Sequence, residues 1–252
     1  MTRICIIALS FIFFSSSQVA AENHTNQTWW QQANQLYLQK NYDSAIIYYQ
    51  KIATHQPQNA LVFFNLGNAY YKHNQIGLAV LNYERALRID PDYSAAKDNL
   101  ALTQKRIPNQ ISEPNDIFFI RWWKDLTKAT LANVWAMTGF FFFIISLALT
   151  GLKRWARLSI NLPTQLPKLL LLLSLSTLAL AYVSTQRMLQ HNKAVILIGE
   201  TPLRTEINTT KNSLLLPEGT VLYTEKEQGN WVNVKLPDGR TGWVEKSSLE
   251  HI

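Results

Sequence analysis

Two long apolar segments in the middle of the chain, residues 131–152 and 169–187, dominate its hydrophobic pattern. The first has no charged residue over 22 positions. At about 1.5 Å of rise per residue it makes a helix of roughly 33 Å, long enough to cross a bilayer core of about 30 Å. The second ends at Arg187, whose long side chain can reach the membrane surface. The pattern predicts two transmembrane helices; the alternative, core helices of a large soluble domain, lacks a segment large enough to bury both.

The connection between these two segments, residues 153–168, is basic. It carries Lys153, Arg154, Arg157 and Lys168 and no acidic residue. Short basic connections are typical of the cytoplasmic side of a membrane. Both flanking parts of the chain are therefore predicted to lie on the opposite, extracytoplasmic side.

Residues 1–21 resemble a secretory leader. Arg3 precedes an apolar run at residues 4–14, and small residues lead up to Ala21. Cleavage after Ala21 is predicted, and an uncleaved anchor is the alternative. The single cysteine of the chain, Cys5, lies in this leader, so disulfides and thiol chemistry are not expected in the mature protein.

The next part of the chain repeats with a period of 34 residues, in copies at residues 26–59 and 60–93. The second copy is the clearer one, and its repeat positions are Phe63, Leu66, Gly67, Tyr70, Ala79, Tyr83, Ala86 and Pro91. In the first copy, Gln32 stands where leucine is usual. Small residues let paired helices approach closely, and aromatic residues fill the space between repeats. Both copies resemble tetratricopeptide repeats.

A third helix, from Ser94 to about Arg106, begins like another repeat and is predicted to cap the array, which then spans residues 22–106. Arrays of this kind bind peptides along the concave face of their first helices. The resemblance projects this groove onto Trp30, Asn34, Tyr37, Phe64, Asn68, Tyr71 and Lys72. Asn34 and Asn68 resemble half of a carboxylate clamp, whose lysines are missing here. The alternative is that these side chains are the ordinary surface of repeat helices.

Residues 107–130 are predicted to form a linker and then an amphipathic helix. Asp116 can cap a helix that begins Ile117-Phe118-Phe119-Ile120-Arg121-Trp122-Trp123-Lys124. Aromatic residues beside basic ones favour a helix lying at a membrane surface. The alternative is that Trp122 and Trp123 form a protein-binding patch.

Residues 194–252 follow an all-β pattern of short strands separated by turns. Asp238-Gly239 between alternating strands predicts a hairpin. The order of these strands and turns resembles bacterial SH3-like domains, and the expected fold is a small β-barrel. Trp231 and Trp243 are expected to pack its core, and partial exposure in a ligand groove is the alternative.

The net charge of +7 is explained by residues 106–193, which carry 10 basic and 3 acidic residues. This excess coincides with the membrane segment, so it indicates membrane topology and contact with anionic lipid, and not nucleic-acid binding. The sequence shows no Ser/His/Asp arrangement, phosphate loop or metal-ligand spacing. We therefore expect no enzyme activity, no cofactor and no metal.

The order of the modules is the most specific feature of the chain: leader, two repeats, aromatic helix, two spans and SH3-like barrel. This order, with the run from Arg121-Trp122-Trp123 to Val134-Trp135-Ala136, resembles the BatE-type proteins of bacterial aerotolerance (Bat) operons. The resemblance implies a protein of the bacterial inner membrane, with its array and its SH3-like domain in the periplasm. It also implies partners that are von Willebrand A-domain membrane proteins and, indirectly, a MoxR-type ATPase.

The expected function is that of a scaffold or adaptor whose array groove binds envelope proteins in a complex linked to stress tolerance. The alternative is a module that binds or senses peptidoglycan or cell-wall peptides through the SH3-like domain. No catalytic activity is implied by either interpretation.

Overall fold

The structure, a computed structural model, describes residues 26–111, 117–155, 163, 165–189, 192–207 and 214–252. The predicted leader, the predicted cap Asp116 and residues 156–162 and 164 of the predicted basic loop lie outside the described residues. The chain divides into two compact units. One unit combines the N-terminal helices with the C-terminal strands, and the other is the segment Glu113–His191.

The first unit begins with a helical-repeat array of five helices. Its described helices are α1 at residues 26–38, α2 at Tyr42–His55, α3 at Ala60–Lys72, α4 at Ile76–Ile89 and α5 at Ser94–Gln104. The first helix of each pair is followed by a residue with a left-handed backbone: Lys40 after α1 and Asn74 after α3, with φ of 60° and 67°. The amide of Asn41 then donates to the oxygen of Leu36 at 2.9 Å. This six-residue closure satisfies helix carbonyls and turns the chain towards the next helix.

The core of the array is built from small and aromatic residues that alternate between helices. Ala45 and Ala79 are fully buried, and so are the rings of Tyr49 and Tyr83. A Cβ atom on Gly67 would lie 2.8 Å from Tyr83 Cδ1, so only glycine lets α3 approach α4 this closely. The small repeat positions thus fix the spacing of the helices.

The C-terminal part of the chain is a β region of antiparallel strands. They are β1 (Lys193–Ile196), β2 (Thr201–Leu203), β3 (Leu214–Leu216), β4 (Val221–Gln228), β5 (Trp231–Lys235), β6 (Thr241–Glu245) and β7 (Leu249–His251). Five of them form a sheet in the order β6-β5-β4-β1-β7, and β2 pairs with β3. A single bridge between Arg204 and Trp243 joins the two sheets. Neither sheet closes on itself within the described strands, so the predicted SH3-like barrel is not established by the strand pairing.

Tight turns connect the central strands of the larger sheet. Gly229 and Gly239 have φ of 62° and 91°, a conformation that glycine adopts without strain. Across β5 and β6, Val232 pairs with Val244 and both are buried. Alternate residues therefore point into a core shared by the two sheets, with Leu216 and Leu222 at its centre.

The array and the β region are joined through one face of α4. Glu84 Oε2 lies 3.1 Å from Lys193 Nζ, and Arg85 Nη2 lies 2.5 Å from Glu250 Oε1. Arg88 donates to the main-chain oxygen of Ile252. The apolar core of the array continues across this contact, because Val195 and Ile252 belong to the same buried cluster as Val80 and Leu81.

The N-terminus of α4 takes its cap from the β region. Gln75, at the N-cap position, makes no side-chain capping bond. Instead, the amide of Gly77 donates to Glu218 Oε1 at 2.7 Å. A carboxylate at this end satisfies a free helix amide and interacts favourably with the helix dipole. A Cβ atom at position 77 would lie 2.7 Å from Glu218 Cγ, so glycine makes room for this contact.

The start of the predicted linker packs against the first unit. Ile107 is buried in the array core, and its Cδ1 atom lies 2.7 Å from where a Cβ atom of Gly219 would stand. Ile111 packs against the core of the β region. Residues 107–111 are therefore part of the first unit, because their two isoleucines contact both of its cores.

The second unit contains helices α6 (Phe118–Leu126), α7 (Ala132–Trp155) and α8 (Leu166–Leu189). The spans Ala132–Leu152 and Leu166–Gln186 are long and apolar enough to cross a membrane, and few of their residues are buried. Such exposure favours a membrane over the core of a soluble domain. Ser174 Oγ donates to the oxygen of Gly139 at 2.8 Å, a close contact of the kind that holds apolar helices together.

Candidate functional site

Two adjoining cavities follow the first helices of the array, α1, α3 and α5. One has a volume of about 250 Å³ and the other of about 220 Å³. The first is lined by Asn34, Tyr37, Leu38, Tyr49, Asn65 and Asn68. The second is lined by Tyr37, Asn68, Tyr71, Lys72, Tyr83, Asn99, Leu102 and Thr103. Tyr37 and Asn68 line both, so the cavities form one continuous groove.

The same hydrogen bond occurs in each repeat along this groove. Tyr49 donates its hydroxyl hydrogen to Asn34 Oδ1 at 2.7 Å, and Tyr83 donates to Asn68 Oδ1 at 2.7 Å. Asn99 Nδ2 also donates to Asn68 Oδ1 at 2.7 Å. The side-chain oxygens of Asn34 and Asn68 are thus occupied by the array itself. Their amide nitrogens have no acceptor among the described residues, which leaves these donors available to a ligand.

The groove tyrosines are protonated at neutral pH, and burial extends the protonated form to higher pH. It raises the pKa of Tyr49 to about 12, with a smaller contribution from Tyr37. Burial also raises the pKa of Tyr83, and the side chain of Asn99 offsets part of this rise. Both hydroxyls therefore remain donors at neutral pH. The orientation of Asn34 and Asn68 is consequently independent of pH over the physiological range.

Positive charge lies at one end of the groove. Lys72 is exposed and lines the second cavity. The guanidinium of Arg106 lies 4.9 Å from the centre of the Tyr71 ring and donates to Asn74 Oδ1 at 2.6 Å. The other cavity is lined by neutral side chains only. The groove therefore changes from neutral to basic along its length.

Five of the seven predicted groove residues line these cavities: Asn34, Tyr37, Asn68, Tyr71 and Lys72. The other two do not. The ring of Trp30 packs edge-to-face on that of Tyr49, with 5.9 Å between the ring centres. The ring centres of Phe64 and Tyr93 are 5.0 Å apart. Both rings are half-buried against the array core, where aromatic contacts stabilise the repeat. Partner binding by the predicted residues stays a prediction.

Sequence reasoning missed a second group of lining residues. Asn65 and Asn99 are 34 residues apart and line one cavity each, and Tyr49 and Tyr83 show the same spacing. This repetition was visible in the sequence. It was missed because the tyrosines were assigned only to packing between repeats, whereas their hydroxyls reach the groove.

The β region holds the second predicted site. Trp231 and Trp243 are both half-buried and lie outside its buried core cluster. The guanidinium of Arg204 lies 4.5 Å from the centre of the Trp231 ring, a cation–π contact. Its Nε atom is buried and makes no hydrogen bond in the described structure. Arg204 therefore covers part of the ring surface that a ligand would use.

Metal-ligating side chains do not converge in the described part of the chain. No group of three or more His, Cys, Asp or Glu residues there is placed to hold a metal ion.

One family model matches the chain. It is the tetratricopeptide repeat, matched at residues 60–93, which is the second predicted repeat. No curated protein matches the sequence. A solved structure with some similarity is described as "Structure of the C. elegans SMG5-SMG7 complex"; it has 16% sequence identity and a TM-score of 0.31, over 66% of this chain. The chain spans 44% of that protein's length. The tetratricopeptide match indicates a protein–protein interaction scaffold.

Proposed function

We propose that this protein is a membrane-anchored scaffold that holds an extended segment of an envelope protein in the groove of its tetratricopeptide array. The observation that supports this most directly is the pair of asparagine amides in the groove. Asn34 and Asn68 accept hydrogen bonds from Tyr49 and Tyr83, and their amide nitrogens have no acceptor among the described residues. Donors repeated along a groove match the carbonyl oxygens of an extended peptide, which repeat along its backbone.

The chemistry of the groove narrows the kind of peptide. Tyr37 and Leu38 give the first cavity an apolar wall, which suits an uncharged side chain. Lys72 at the other end suits an acidic group. We therefore propose a ligand with an apolar residue followed or preceded by a carboxylate within a few positions.

The hairpin α7–α8 is proposed to anchor the protein in the bacterial inner membrane. The segments before and after the hairpin pack into one compact unit, so an even number of membrane crossings must separate them. The basic segment at residues 153–168 favours the cytoplasm for the connection between the helices. The array and the β region would then both lie in the periplasm.

The proposed setting is an aerotolerance or stress-related complex of the kind implied by the resemblance to BatE-type proteins. Its candidate partners are von Willebrand A-domain membrane proteins, and a MoxR-type ATPase would act indirectly. The order of modules in the sequence supports this setting.

A second candidate function is the binding of cell-wall peptides or peptidoglycan by the β region, if that region acts as an SH3-like domain. The half-buried rings of Trp231 and Trp243 favour a site at this position, with the guanidinium of Arg204 4.5 Å from the centre of the Trp231 ring. An aromatic surface beside a cation suits a peptide that carries a carboxylate.

The groove proposal is tested by Asn34→Asp combined with Asn68→Asp in the full-length protein. Aspartate still accepts the tyrosine hydrogen bond and loses the amide donor. We expect the partner proteins that co-purify from gently solubilised membranes to be lost, while the melting temperature changes little.

The matched control combines Gln58→Glu with Asn230→Asp, which also converts two amides to carboxylates. Both residues are exposed in turns outside the groove, so partner recovery should not change. Unchanged co-purification in the groove variant would rule out the groove. Recovery of wall peptides alone would favour the β region.

A further inference from the structure

Helix α6 presents an aromatic face that nothing in the described structure covers. At about 100° per residue, Phe118, Phe119, Trp122 and Trp123 fall on one side of the helix, and Arg121 and Lys124 fall on the other. Phe118 is 82% exposed and Trp122 is 56% exposed. Four large aromatic side chains exposed on nine residues are unusual for a surface in contact with water.

The position of α6 is fixed by the start of α7. Thr127, which is fully buried, donates its hydroxyl to the oxygen of Trp123 at 2.7 Å. Trp135 Nε1, in the first turn of α7, donates to the oxygen of Leu126 at 2.9 Å. These bonds satisfy the C-terminal carbonyls of α6. The aromatic helix therefore ends where the first candidate span begins, without a flexible connection.

Apolar exposure continues from α6 into the span. Val134 and Met137, in the first turns of α7, are exposed, and so are Phe140 and Phe141 beyond them. A protein partner bound to α6 would explain the exposed aromatic face of α6 only. A bilayer that α7 enters would explain the exposed apolar residues of both helices. Tryptophan is enriched at the lipid–water boundary because its ring is apolar and its N–H is polar.

We propose that α6 lies in the lipid–water interface of the bilayer that α7 and α8 cross, with its aromatic face towards the acyl chains. This inference rests on the proposed membrane anchoring. The opposite face carries Arg121 and Lys124, and Lys128 follows the helix and pairs with Asp125 at 3.0 Å. Charged residues on that side remain at the level of the headgroups. The helix thereby sets the depth at which α7 starts.

The test uses single cysteines in full-length protein reconstituted into phosphatidylcholine–phosphatidylglycerol vesicles, in a Cys5→Ser background. An environment-sensitive fluorophore is attached to Phe119→Cys or, as the matched control, to Lys124→Cys on the opposite face of α6. A third variant, Phe141→Cys, reports on the middle of α7. Quenching is compared between lipids that carry a quencher near the headgroup and lipids that carry it deep in the acyl chain.

We expect the label at position 119 to be quenched several-fold more by the shallow lipid than the label at position 124, and the label at position 141 to be quenched most by the deep lipid. Equal, weak quenching at positions 119 and 124 would overturn the interfacial helix while leaving the span intact. If the label at position 119 is shielded in native membranes but not in the reconstituted vesicles, the interfacial helix would also be overturned. That result would indicate a protein-binding patch. Absence of deep quenching at position 141 would instead contradict the membrane anchor itself.

Discussion

Helices α2 and α4 occupy the same place in consecutive repeats, yet one is a surface helix and the other is covered. Ile47 in α2 is 53% exposed, whereas Leu81, 34 residues later in α4, is 1% exposed. Gln50 is exposed, and its counterpart Glu84 is buried and paired with Lys193. The repeat therefore determines where each helix lies, and contact with the β region determines how much of the helix surface is exposed to solvent.

The two helices also begin differently. Asn41 caps α2, with its side chain accepting from the amide of Ser44 at 3.3 Å. In α4 the corresponding Gln75 makes no such bond, and Glu218 of the β region accepts from Gly77 instead. The second repeat therefore depends on a cap from outside the array. If this comparison is correct, equivalent substitutions in α2 and α4 must have different effects.

The largest difference is expected for the apolar pair. Leu81→Ala should lower the free energy of unfolding by about 2–5 kcal/mol, because it removes a fully buried side chain and leaves a cavity. Ile47→Ala should change it by no more than about 0.5 kcal/mol. Urea unfolding of the full-length protein in mild detergent measures both. Equal effects would mean that α4 is not covered in solution.

The ion pair on α4 should give the next largest effect. Lys193→Ala is expected to cost about 1–3 kcal/mol, because it leaves the buried Glu84 carboxylate without its partner. Adding Glu84→Gln, which introduces the residue found at the equivalent position of α2, should restore part of this loss. The same unfolding measurement decides the point: no recovery in the double variant would show that Lys193 acts through other contacts.

The two helix caps offer a matched pair of smaller effects. Glu218→Ala and Asn41→Ala should each cost about 0.5–2 kcal/mol. Only Glu218→Ala should also increase hydrogen exchange in the β region, because it loosens the contact between the array and the strands. Hydrogen exchange with mass spectrometry distinguishes the two variants. Protection of the β region that is the same in both would place the docking energy elsewhere.

Alkaline pH should destabilise the array through its buried tyrosines. The pKa of Tyr49 is raised in the folded state from 10.0 to about 12, so the unfolded chain loses this proton first. The stability that it contributes is complete below pH 10 and is lost as pH rises towards 12. Tyr49→Phe should therefore lose less stability over this range than the unchanged protein. Parallel losses in thermal unfolding would contradict the assignment to Tyr49.

The sequence predicted the parts of the fold that depend on local periodicity. The 34-residue period placed the repeat helices, and the pattern of Asp238-Gly239 placed a turn. It also brought Asn34 and Asn68 to one groove, because residues at equivalent repeat positions share a face. Trp30 was assigned to the same groove, yet its ring packs on Tyr49, since an aromatic side chain fits the core equally well.

The contact between the array and the β region was beyond sequence reasoning. Gly77 and Glu218 are separated by 141 residues, and nothing in the local pattern of either relates it to the other. The apolar residues of α4 that meet the β region are the same types that pack a repeat. The burial of Ile107 was also not predictable, because a single buried isoleucine beside Pro108 gives no periodic pattern; this residue was therefore assigned to a linker.

The most direct test of this account is cross-linking between α4 and β7 in intact membranes. In a Cys5→Ser background, Arg85→Cys with Glu250→Cys replaces the ion pair at 2.5 Å, and a short bifunctional maleimide is applied. The control pair, Lys51→Cys with Glu250→Cys, uses the equivalent position of α2. We predict an intramolecular cross-link for the first pair and none for the second. Single-site labelling of every cysteine with no cross-link in either pair would show that the array and the β region do not dock, and would contradict the account.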